Sequence, residues 1–502
     1  MMKKINQLSI SLVMVLLISS CTRDLRLSPI SQISNASFWK TEEDAKGGLY
    51  GMYVKLRDET AMNFYFWGEA RSEIMGPAVG GTAGYEVYYN NTLNAVNVAT
   101  LYGGISPTWL GLYTLVHDAN LILKYVPGIN FKSEADQNNI LAQAYAMRAF
   151  AYFVMARTWG GVPLVTEPTE GYSPTTTQKP KATVEEIFAF IKQDLEAAIK
   201  LYPNANYQTG RYLWTLPATN ALKADVYLWT GKRLGGGNTD FTAALNALNE
   251  VEKSDVALLP KFVDVFDYTN KGNKEVIMAV RFQELESQQT VYNTMFSNKM
   301  PANITDASKA ALGGVGLTAF SDFWWMPTAL LRNQFSTDDQ RKAASYVDIY
   351  TKEPGGGPDK YGYSVQFKHK GVISGGVRAF YDDYILYRYA DILLMKAEAK
   401  NALNQDPSTE INKVRARAYG SNMSGHTFVG GSPADNDAAI LKERLLELAF
   451  EGKRWWDLIR FDKAFDLVPS LQGKSAQKYL MLFPISEATL SLDPKVKQND
   501  GY

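Results

Sequence analysis

The amino-acid sequence predicts a mainly α-helical protein with a body of tetratricopeptide-like helix pairs, an irregular loop-rich lobe and a few short strands. Three observations lead to this fold class. The run Leu141–Pro168 is helical in character and apolar on most sides, which is typical of a buried helix. Further amphipathic runs occur in pairs, although the strict tetratricopeptide consensus is absent. Two regions, at about 76–104 and 283–380, are glycine-rich or irregular and show no sustained helical period.

The first forty residues contain the signals for export and anchoring. Met1–Ser20 begin with lysines and continue with a short apolar core, the pattern of a secretory signal peptide. Cys21 follows small residues, as in a bacterial lipobox, and is the only cysteine of the chain. We predict that Cys21 is acylated and that residues 21–40 form a tether. The alternative is an ordinary signal peptide with an incidental cysteine. Residues 41–502 are predicted to form one domain.

Capping residues and apolar periodicity predict where the other elements begin. Thr41 with Asp44, and Thr183 with Glu186, have the spacing of helix capping boxes. An alternating, β-branched run at Lys274–Phe282 predicts a strand. In the first half of the chain, the predicted helices outside the long run are 41–57, 63–75, 108–126, 183–201, 217–230 and 241–251.

Two later segments, 384–403 and 438–461, are predicted to be helices that pack against the long run. The long run contains Arg148 and Arg157 among its apolar residues. An unpaired buried charge is costly, so both arginines need partners. We predict one network that pairs them with the acids of the two later segments. These acids are Asp391, Glu398, Glu443, Glu447, Glu451 and Asp457.

Composition argues against several classes of function. Lys+Arg and Asp+Glu are both 52, so the formal net charge is zero and offers no reason to expect nucleic acid as a partner. A single cysteine excludes disulfides within the monomer. With only 3 histidines beside it, the composition also argues against a Cys/His zinc site. The sequence lacks a nucleophile elbow, a His-Glu-x-x-His motif and a dinucleotide fingerprint. We therefore predict no catalytic residue, no metal and no cofactor.

Four stretches, in chain order, resemble motifs of the SusD/RagB family of outer-membrane nutrient-binding lipoproteins. They read RAFAYFVMARTWGGVPLVTEP, RYADILLMKAEAKNAL followed by INKVRARA, ERLLELAFEGKRWWDLIRF, and LFPISEATLSLDPKVKQNDGY. With the lipoprotein signal, the resemblance covers nearly the whole chain. It implies a helical body of four repeat units that carries an irregular lobe. It also implies a lipid-anchored protein at the outer-membrane surface, which captures an oligosaccharide and delivers it to a SusC-like TonB-dependent transporter.

The two irregular regions, and the residues just before the first, contain side chains suited to sugar binding. An indole or phenol packs against the apolar face of a sugar ring, and amide, acidic or arginine groups bind its hydroxyls. The resemblance likewise implies ligand residues from these regions. For any single aromatic residue, anchoring its loop to the body is an equally good interpretation. The candidate ligand-binding residues are Trp67, Arg71, Glu73, Tyr85, Tyr88, Tyr89, Asn90, Asn91, Asn94, Trp324 and Trp325.

Three other functions remain open from the sequence. The chain could be a peptide-binding member of the same family, a surface glycoside hydrolase, or a structural lipoprotein without a ligand. A hydrolase needs a pair of carboxylates, and Glu447 and Glu451 are spaced to share a helix face. Basic residues beside them favour structural ion pairs instead. The spacing of Trp455 and Trp456 within the same predicted helix favours packing over ligand contact.

Overall fold

Helices are the main secondary structure of the residues that the structure describes. A computed structural model describes residues 38–60, 62–78, 84–99, 107–171, 173–295, 301–313 and 325–502. The α-helices are α1 (Glu42–Thr60), α2 (Asn63–Gly68), α3 (Glu86–Tyr89), α4 (Leu110–Tyr125), α5 (Glu134–Trp159), α6 (Pro174–Thr177), α7 (Val184–Leu201), α8 (Leu216–Arg233), α9 (Gly237–Glu252), α10 (Thr290–Asn293), α11 (Asp306–Ala311), α12 (Ala329–Arg332), α13 (Arg341–Ser345), α14 (Tyr389–Ala402), α15 (Ser408–Tyr419), α16 (Pro433–Leu448), α17 (Arg454–Arg460), α18 (Ala464–Leu467) and α19 (Glu487–Leu492). The 3-10 helices are Asn97–Ala99, Val126–Gly128, Phe262–Phe266, Tyr268–Asn270, Gly420–His426, Pro469–Leu471 and Lys478–Met481.

The strands are short, and those described pair two by two in antiparallel fashion. They are β1 (Met75–Pro77), β2 (Val276–Val280), β3 (Trp325–Pro327), β4 (Tyr346–Thr351), β5 (Lys360–Gln366), β6 (Val372–Ser374), β7 (Val377–Ala379) and β8 (Tyr384–Arg388). The pairs are β1–β3, β2–β8, β4–β5 and β6–β7. The predicted strand at 274–282 is confirmed by β2, and the short strands predicted within 352–380 are confirmed by β5, β6 and β7. The strands β3 and β4 were not predicted.

The long helices pack in succession and form the body. Helix α4 packs between α1 and α5, and α5 then packs against α7. Helix α8 packs against α7 and α9, and α9 packs against α14, which contacts both α15 and α16. This succession confirms the predicted body of helix pairs. No helix in the described ranges is both long and apolar enough to cross a lipid bilayer.

Helix α5 has the buried position that its sequence predicts. It begins earlier than predicted, because the Ser133 side chain caps it by accepting a hydrogen bond from the Asp136 N–H at 3.3 Å. Nearly all residues from Ala142 to Trp159 are buried. The helix ends at Gly160, whose φ of +76° is easily reached only by glycine. Both predicted capping boxes are also present, at Thr41–Asp44 and Thr183–Glu186.

Two helix predictions are wrong in extent. The helix predicted at 63–75 ends at Gly68, where the backbone of Gly452 lies so close that a β-carbon would overlap with it. The segment predicted as helix at 384–403 begins as strand β8, because its backbone pairs with β2 and only then turns into α14. In both places a contact with a distant segment prevails over local helical preference.

The predicted continuous helix at 438–461 is also wrong, since a turn at 449–453 separates α16 from α17. Phe450 and Gly452 have φ values of +69° and +68°, which no α-helix contains. The buried Glu69 carboxylate accepts the N–H groups of Phe450 at 2.7 Å, Gly452 at 2.6 Å and Lys453 at 3.3 Å. Burial raises the pKa of Glu69 to about 8 despite these three donors. Glu69 therefore replaces the helical acceptors that these N–H groups would otherwise have.

The buried charges form separate groups instead of the one predicted network. Arg148 does not reach the predicted acids: its Nε and Nη2 donate to Asp194 of α7, each at 2.8 Å, and its Nη1 donates to Asn120. Arg157 does join three of the predicted acids, through Asp225 and Arg460. The members of this first network are Arg157, Asp225, Arg460, Glu398, Asp457, Arg444, Asp391 and Lys453, together with Lys232 and Asp437 at its edge.

The other three predicted acids belong to a second network, centred on Arg388 at the end of β8. Arg388 pairs with Glu275 at 2.8 Å, Glu447 at 2.6 Å and Glu451 at 2.8 Å, and all four side chains are fully buried or nearly so. This network ties β8 to α16 and to the start of β2. Its remaining members are Asp339, Arg341, Lys368, Arg415, Arg417 and Glu443.

Candidate functional site

Strands β1 and β3 bring the two irregular regions together. Met75 lies opposite Pro327 and Pro77 lies opposite Trp325. The side chains around this strand pair form a cluster of aromatic rings, which we call the aromatic platform. It consists of Tyr65, Phe66, Tyr85, Tyr88, Tyr89 and Trp325.

Trp325 is the centre of the aromatic platform. Its ring centroid lies 5.9 Å from that of Tyr89 with the planes at 90°, and 5.7 Å from that of Tyr85. Phe66 stacks on Tyr85 at 5.5 Å and contacts Tyr88 at 4.7 Å. Edge-to-face and offset contacts of this kind stabilise aromatic pairs by about 0.5–1.5 kcal/mol each. Four of the predicted site residues therefore meet in one cluster.

Most of the platform is buried and serves as a rigid support. Tyr85, Tyr88 and Trp325 expose at most 1% of their surface, whereas Tyr89 is half-buried at the edge. Burial raises the pKa of Tyr85 to about 12 and that of Tyr88 well above its usual value of 10. Both phenols are therefore neutral at physiological pH. In this structure the accessible part of the platform is Tyr89.

A buried relay of hydrogen bonds holds the turn that carries Tyr89. Arg71 Nε donates to Asn91 Oδ1 at 2.7 Å. Asn91 Nδ2 in turn donates to Ser470 Oγ at 2.9 Å, and Ser470 Oγ donates to the Tyr89 carbonyl at 2.8 Å. Asn91 has a φ of +53°, a conformation that asparagine tolerates better than most residues. The relay thus determines the backbone position of residues 89–91.

Arg71 also anchors this turn to the carboxyl-terminal segment. Its Nη1 donates to the Leu482 carbonyl at 2.8 Å, and its Nη2 donates to the Leu480 carbonyl. Its guanidinium lies over the rings of Trp455 at 4.4 Å and Phe483 at 5.0 Å. Burial lowers the pKa of Arg71 from its ordinary value. Arg71 is fully buried and uses its N–H donors within the protein, so it stabilises the turn and is not exposed to a ligand.

Two of the predicted asparagines reach the surface next to Tyr89. Asn90 is exposed and directly follows Tyr89 in the turn. Asn94 is exposed as well, but its Oδ1 accepts the N–H groups of Val96 at 3.0 Å and Asn97 at 2.9 Å. Asn94 therefore organises the following turn, whereas Asn90 presents its amide to solvent. Asn91, by contrast, is buried within the relay.

Two of the predicted residues, Trp67 and Glu73, lie away from the aromatic platform. Trp67 is fully buried in the helical body, donates to the Pro107 carbonyl at 2.9 Å and packs edge-on against Trp159. Glu73 pairs with Arg454 at 2.6 Å and lies at the wall of a different groove. Trp324 and Cys21 lie outside the described residues. Ligand contact by Trp67, Glu73 and Trp324 remains a prediction, and so does acylation of Cys21.

Several residues that shape the site were absent from the sequence prediction. Ser470 and Phe483 lie almost 400 positions from the turn that they support. Phe483 falls within the carboxyl-terminal motif, whose apolar start could have indicated a packing role. Ser470 gave no signal in the sequence, because a lone serine in a loop has no periodicity.

The carboxylates considered for hydrolysis have structural roles. Glu447 and Glu451 are buried and paired with basic residues, as predicted. Burial alone would raise their pKa values, but the nearby cations outweigh it and lower the pKa of Glu451 to about 2 and that of Glu447 further. Neither can act as a general acid near neutral pH. Among the described residues, no group of three or more His, Asp or Glu side chains is arranged to hold a metal ion.

The fold and the aromatic platform define a protein of packed helix pairs whose two irregular regions meet at β1 and β3. The chain belongs to the SusD family. A family model described as "SusD family" matches residues 349–502. Another, described as "Starch-binding associating with outer membrane", matches residues 52–228.

Individual relatives match over almost the full length. SusD-like protein P38 of Formosa agariphila is 28% identical over 100% of both chains. NanU of B. fragilis is a solved structure with 33% sequence identity and a TM-score of 0.83, covering 95% of this chain and 100% of that one. A SusD superfamily protein from Bacteroides vulgatus shows 30% identity and a TM-score of 0.80, covering 92% of this chain and 100% of the other.

Proposed function

We propose that this protein is a cell-surface lipoprotein of the outer membrane that captures an oligosaccharide and delivers it to a SusC-like TonB-dependent transporter. The observation that carries the proposal is the junction of the two irregular regions at β1 and β3. It places the half-buried ring of Tyr89 beside the exposed amide of Asn90, over a rigid aromatic base.

The chemistry of this junction supports a sugar as the ligand. A phenol ring offers an apolar face, and an amide offers both a donor and an acceptor to neighbouring hydroxyls. The charged side chain beneath the turn, Arg71, is buried and uses its donors within the protein. A neutral, hydroxyl-rich ligand suits this surface better than a charged peptide. The family model described as starch-binding supports the same class.

We propose that binding is not coupled to catalysis. The carboxylate pair that invited a hydrolase interpretation is held as anions by arginine and lysine side chains. A retaining or inverting hydrolase needs one carboxyl group with a raised pKa to act as the acid. The proposal therefore expects no release of reducing sugar from any oligosaccharide that binds.

The binding site can be tested by calorimetric titration of residues 22–502 with a panel of neutral oligosaccharides and peptides. Tyr89→Ala should weaken oligosaccharide binding about tenfold, as expected for loss of one aromatic contact. Asn90→Ala should weaken it about fivefold, the equivalent of about 1 kcal/mol for one hydrogen bond. Trp324→Ala tests the predicted residue that lies outside the described ranges.

The matched control is Tyr50→Ala, which removes an exposed tyrosine of α1 that is outside the platform. It should leave the affinity unchanged, and thermal unfolding should show that Tyr89→Ala remains folded. Equal affinity of the wild type, Tyr89→Ala and Asn90→Ala for the oligosaccharide would refute the proposed site. Binding of peptides alone would refute oligosaccharide as the ligand.

We propose further that residues 1–20 are a signal peptide, that Cys21 carries the lipid and that residues 21–40 are a tether to the domain 41–502. Metabolic labelling with an alkyne fatty acid should label the wild type and not Cys21→Ala. The unlabelled variant should also leave the membrane fraction. Purification of the labelled protein from its own outer membrane should retain the transporter, and its absence under gentle detergent conditions would contradict the proposed partnership.

A further inference from the structure

An open trough, separate from the aromatic platform, lies where α14, α15 and α16 meet. It has a volume of about 560 Å³ and shares no lining residue with the aromatic platform. This volume falls within the range of about 300–1,000 Å³ that is typical of small-molecule sites. Its walls include Asn404, Gln405, Asp406, Phe428, Val429 and Pro433.

One wall is the loop before α16, and hydrogen bonds hold its shape. The Asn412 amide forms a reciprocal pair with the Phe428 backbone, donating to its carbonyl and accepting its N–H, both at 2.8 Å. The Gly430 N–H donates to Ser408 Oγ at 2.9 Å, and the Gly431 N–H donates to Asn436 Oδ1 at 2.8 Å. The loop is therefore preorganised before any ligand arrives.

This fixed loop holds an apolar residue out in solvent. Val429 is 79% exposed although its neighbours on both sides are pinned through their backbones. Phe428 is half-buried beside it and lines the same trough. A β-carbon at Gly430 would crowd the Asp406 side chain, so the loop and the opposite wall approach each other closely there. The loop thus holds the apolar side chains of Phe428 and Val429 in a fixed position relative to the opposite wall of the trough.

The opposite wall is the chain that leaves α14. Asn404 has a φ of +57° and reverses the chain, so that Gln405 and Asp406 follow it along the trough. The side chains of Asn404 and Gln405 make no hydrogen bond within the described part of the chain, and both residues are exposed. Ser408 N–H donates to Asp406 Oδ1 at 2.9 Å. Hydrogen bonding from the Ser408 side chain and backbone lowers the pKa of the Asp406 carboxyl group. The wall therefore offers two amides and one carboxylate to a ligand.

The balance of these groups limits the ligand class. Asp406 is the only charged residue among those that line the trough, so an anionic ligand is disfavoured. A single exposed carboxylate contributes little to the binding of a cation. Amides beside an apolar surface match a ring that has hydroxyls on its rim and C–H groups on its face. We propose that this trough is a second saccharide-binding site, which takes a short neutral oligosaccharide through Gln405 and Asn404 against Val429.

This inference deepens the proposed function, because it gives the same protein two separate sugar sites. It can be tested by saturation-transfer difference NMR and calorimetry on residues 22–502 with maltotriose, cellotriose, xylotriose and mannotriose. Gln405→Ala should weaken one of two binding events about fivefold, as for one lost hydrogen bond. Val429→Asp should abolish that event, because a carboxylate replaces the apolar surface against which the sugar ring packs. Since Val429 is exposed, this variant should melt at the wild-type temperature.

Two controls separate the sites. Gln208→Ala removes an exposed amide elsewhere and should change neither event, and Asn90→Ala should affect only the event at the aromatic platform. A single binding event that Asn90→Ala weakens and Val429→Asp leaves intact would overturn the second site while supporting the proposed function. Loss of one event in Val429→Asp, with no effect of Asn90→Ala on either event, would support the trough and overturn the site beside the platform. Absence of binding by all four trisaccharides would overturn the trough proposal.

Discussion

At the residue scale, buried arginines connect segments that lie far apart in the chain. A guanidinium group offers five donors in one rigid plane, so one side chain can hold several segments at once. Arg71 joins the turn at 89–91 to the carboxyl-terminal segment, and Arg388 joins β8 to α16 and β2. Arg148 joins α5 to α4 and α7. These contacts determine how segments far apart in the chain pack together.

Arg71→Lys should loosen the turn that presents Tyr89. Lysine retains the charge but cannot reach Asn91, Leu480 and Leu482 together, so we expect about 2–3 kcal/mol less stability and weaker oligosaccharide binding. Denaturant unfolding and calorimetric titration measure the two effects. Ser470→Ala breaks the same relay one step further on, so the double variant should lose less than the sum of the single variants. Full additivity would contradict the relay.

Arg148→Met should destabilise the protein by about 3–5 kcal/mol, because Asp194 would remain buried without its partner. The double variant Arg148→Met with Asp194→Leu should recover most of this loss. Urea-induced unfolding measures both. Arg233→Met breaks an exposed pair with Asp462 and should cost less than about 1 kcal/mol. A small loss in the single Arg148 variant would show that the pair with Asp194 is not needed.

At the element scale, contacts between segments decide where helices end. Helices α5 and α7 follow their own caps and apolar pattern closely. The predicted helix 438–461 is divided into α16 and α17 because the Glu69 carboxylate takes the backbone N–H groups of the turn. Glu69 lies almost 400 residues before that turn. The local pattern therefore predicts a helix correctly where its backbone N–H groups bond to acceptors within the same helix. It fails where a distant group, such as Glu69, supplies the acceptor.

Gly452→Ala should disrupt the turn between α16 and α17. Its φ is +68°, and a β-carbon would overlap with the Tyr384 hydroxyl, so strain and overpacking should together cost more than about 3 kcal/mol. Gly473→Ala is the matched control. Gly473 has a similar φ of +79°, but open space surrounds its β-carbon position, so only about 1–2 kcal/mol is expected. Equal melting temperatures for the two variants would contradict the steric argument.

At the scale of the whole molecule, one buried ion network joins helices within the body, and a second joins the body to β8 and to the second irregular region. The first links α5 and α8 to α14 and α17 through Asp225 and Arg460. The second links β8, α13 and α15 to α16 through Glu447 and Glu451. Removing a partner from such a network leaves a buried charge, which makes the assembly cooperative.

The second network should make the protein sensitive to acid. Burial would raise the pKa of Glu451, but Arg388 and Lys368 together lower it from an ordinary 4.5 to about 2. A lowered folded-state pKa gives stability that is complete above about pH 4.5 and is lost as the pH falls towards 2. For Glu451 this contribution is about 3 kcal/mol. Unfolding monitored by circular dichroism between pH 6 and 2 should therefore show a steep loss.

Glu451→Gln should weaken the protein at neutral pH and flatten the pH dependence between 4.5 and 2. Asp466→Asn, which alters an exposed pair with Lys463, should leave the acid profile unchanged. An acid profile of Glu451→Gln that is superimposable on that of the wild type would show that the network does not determine acid stability.

The candidate site could be located from the sequence only as two regions. Their Tyr, Asn and Trp residues indicated sugar chemistry, and the structure brings Tyr85, Tyr88, Tyr89 and Trp325 together. Which of these rings is accessible could not be predicted, because three tyrosines and one tryptophan in irregular segments follow no period that would separate buried from exposed positions. Burial of three and partial exposure of Tyr89 depend on the pairing of β1 with β3.

The sequence alone determines the fold class, the central buried helix α5, the two capping boxes and the family. These follow from apolar periodicity, from capping residues and from the order of motifs along the chain, all of which are present in the sequence itself. The partners of Arg148, the break at 449–453 and the accessible face of the site follow from tertiary contacts. Each of these depends on a pair of groups separated by tens to hundreds of residues, such as Glu69 with Gly452. Local periodicity carries no information about such pairs, since many acids could satisfy one arginine and only packing brings one of them within hydrogen-bond distance.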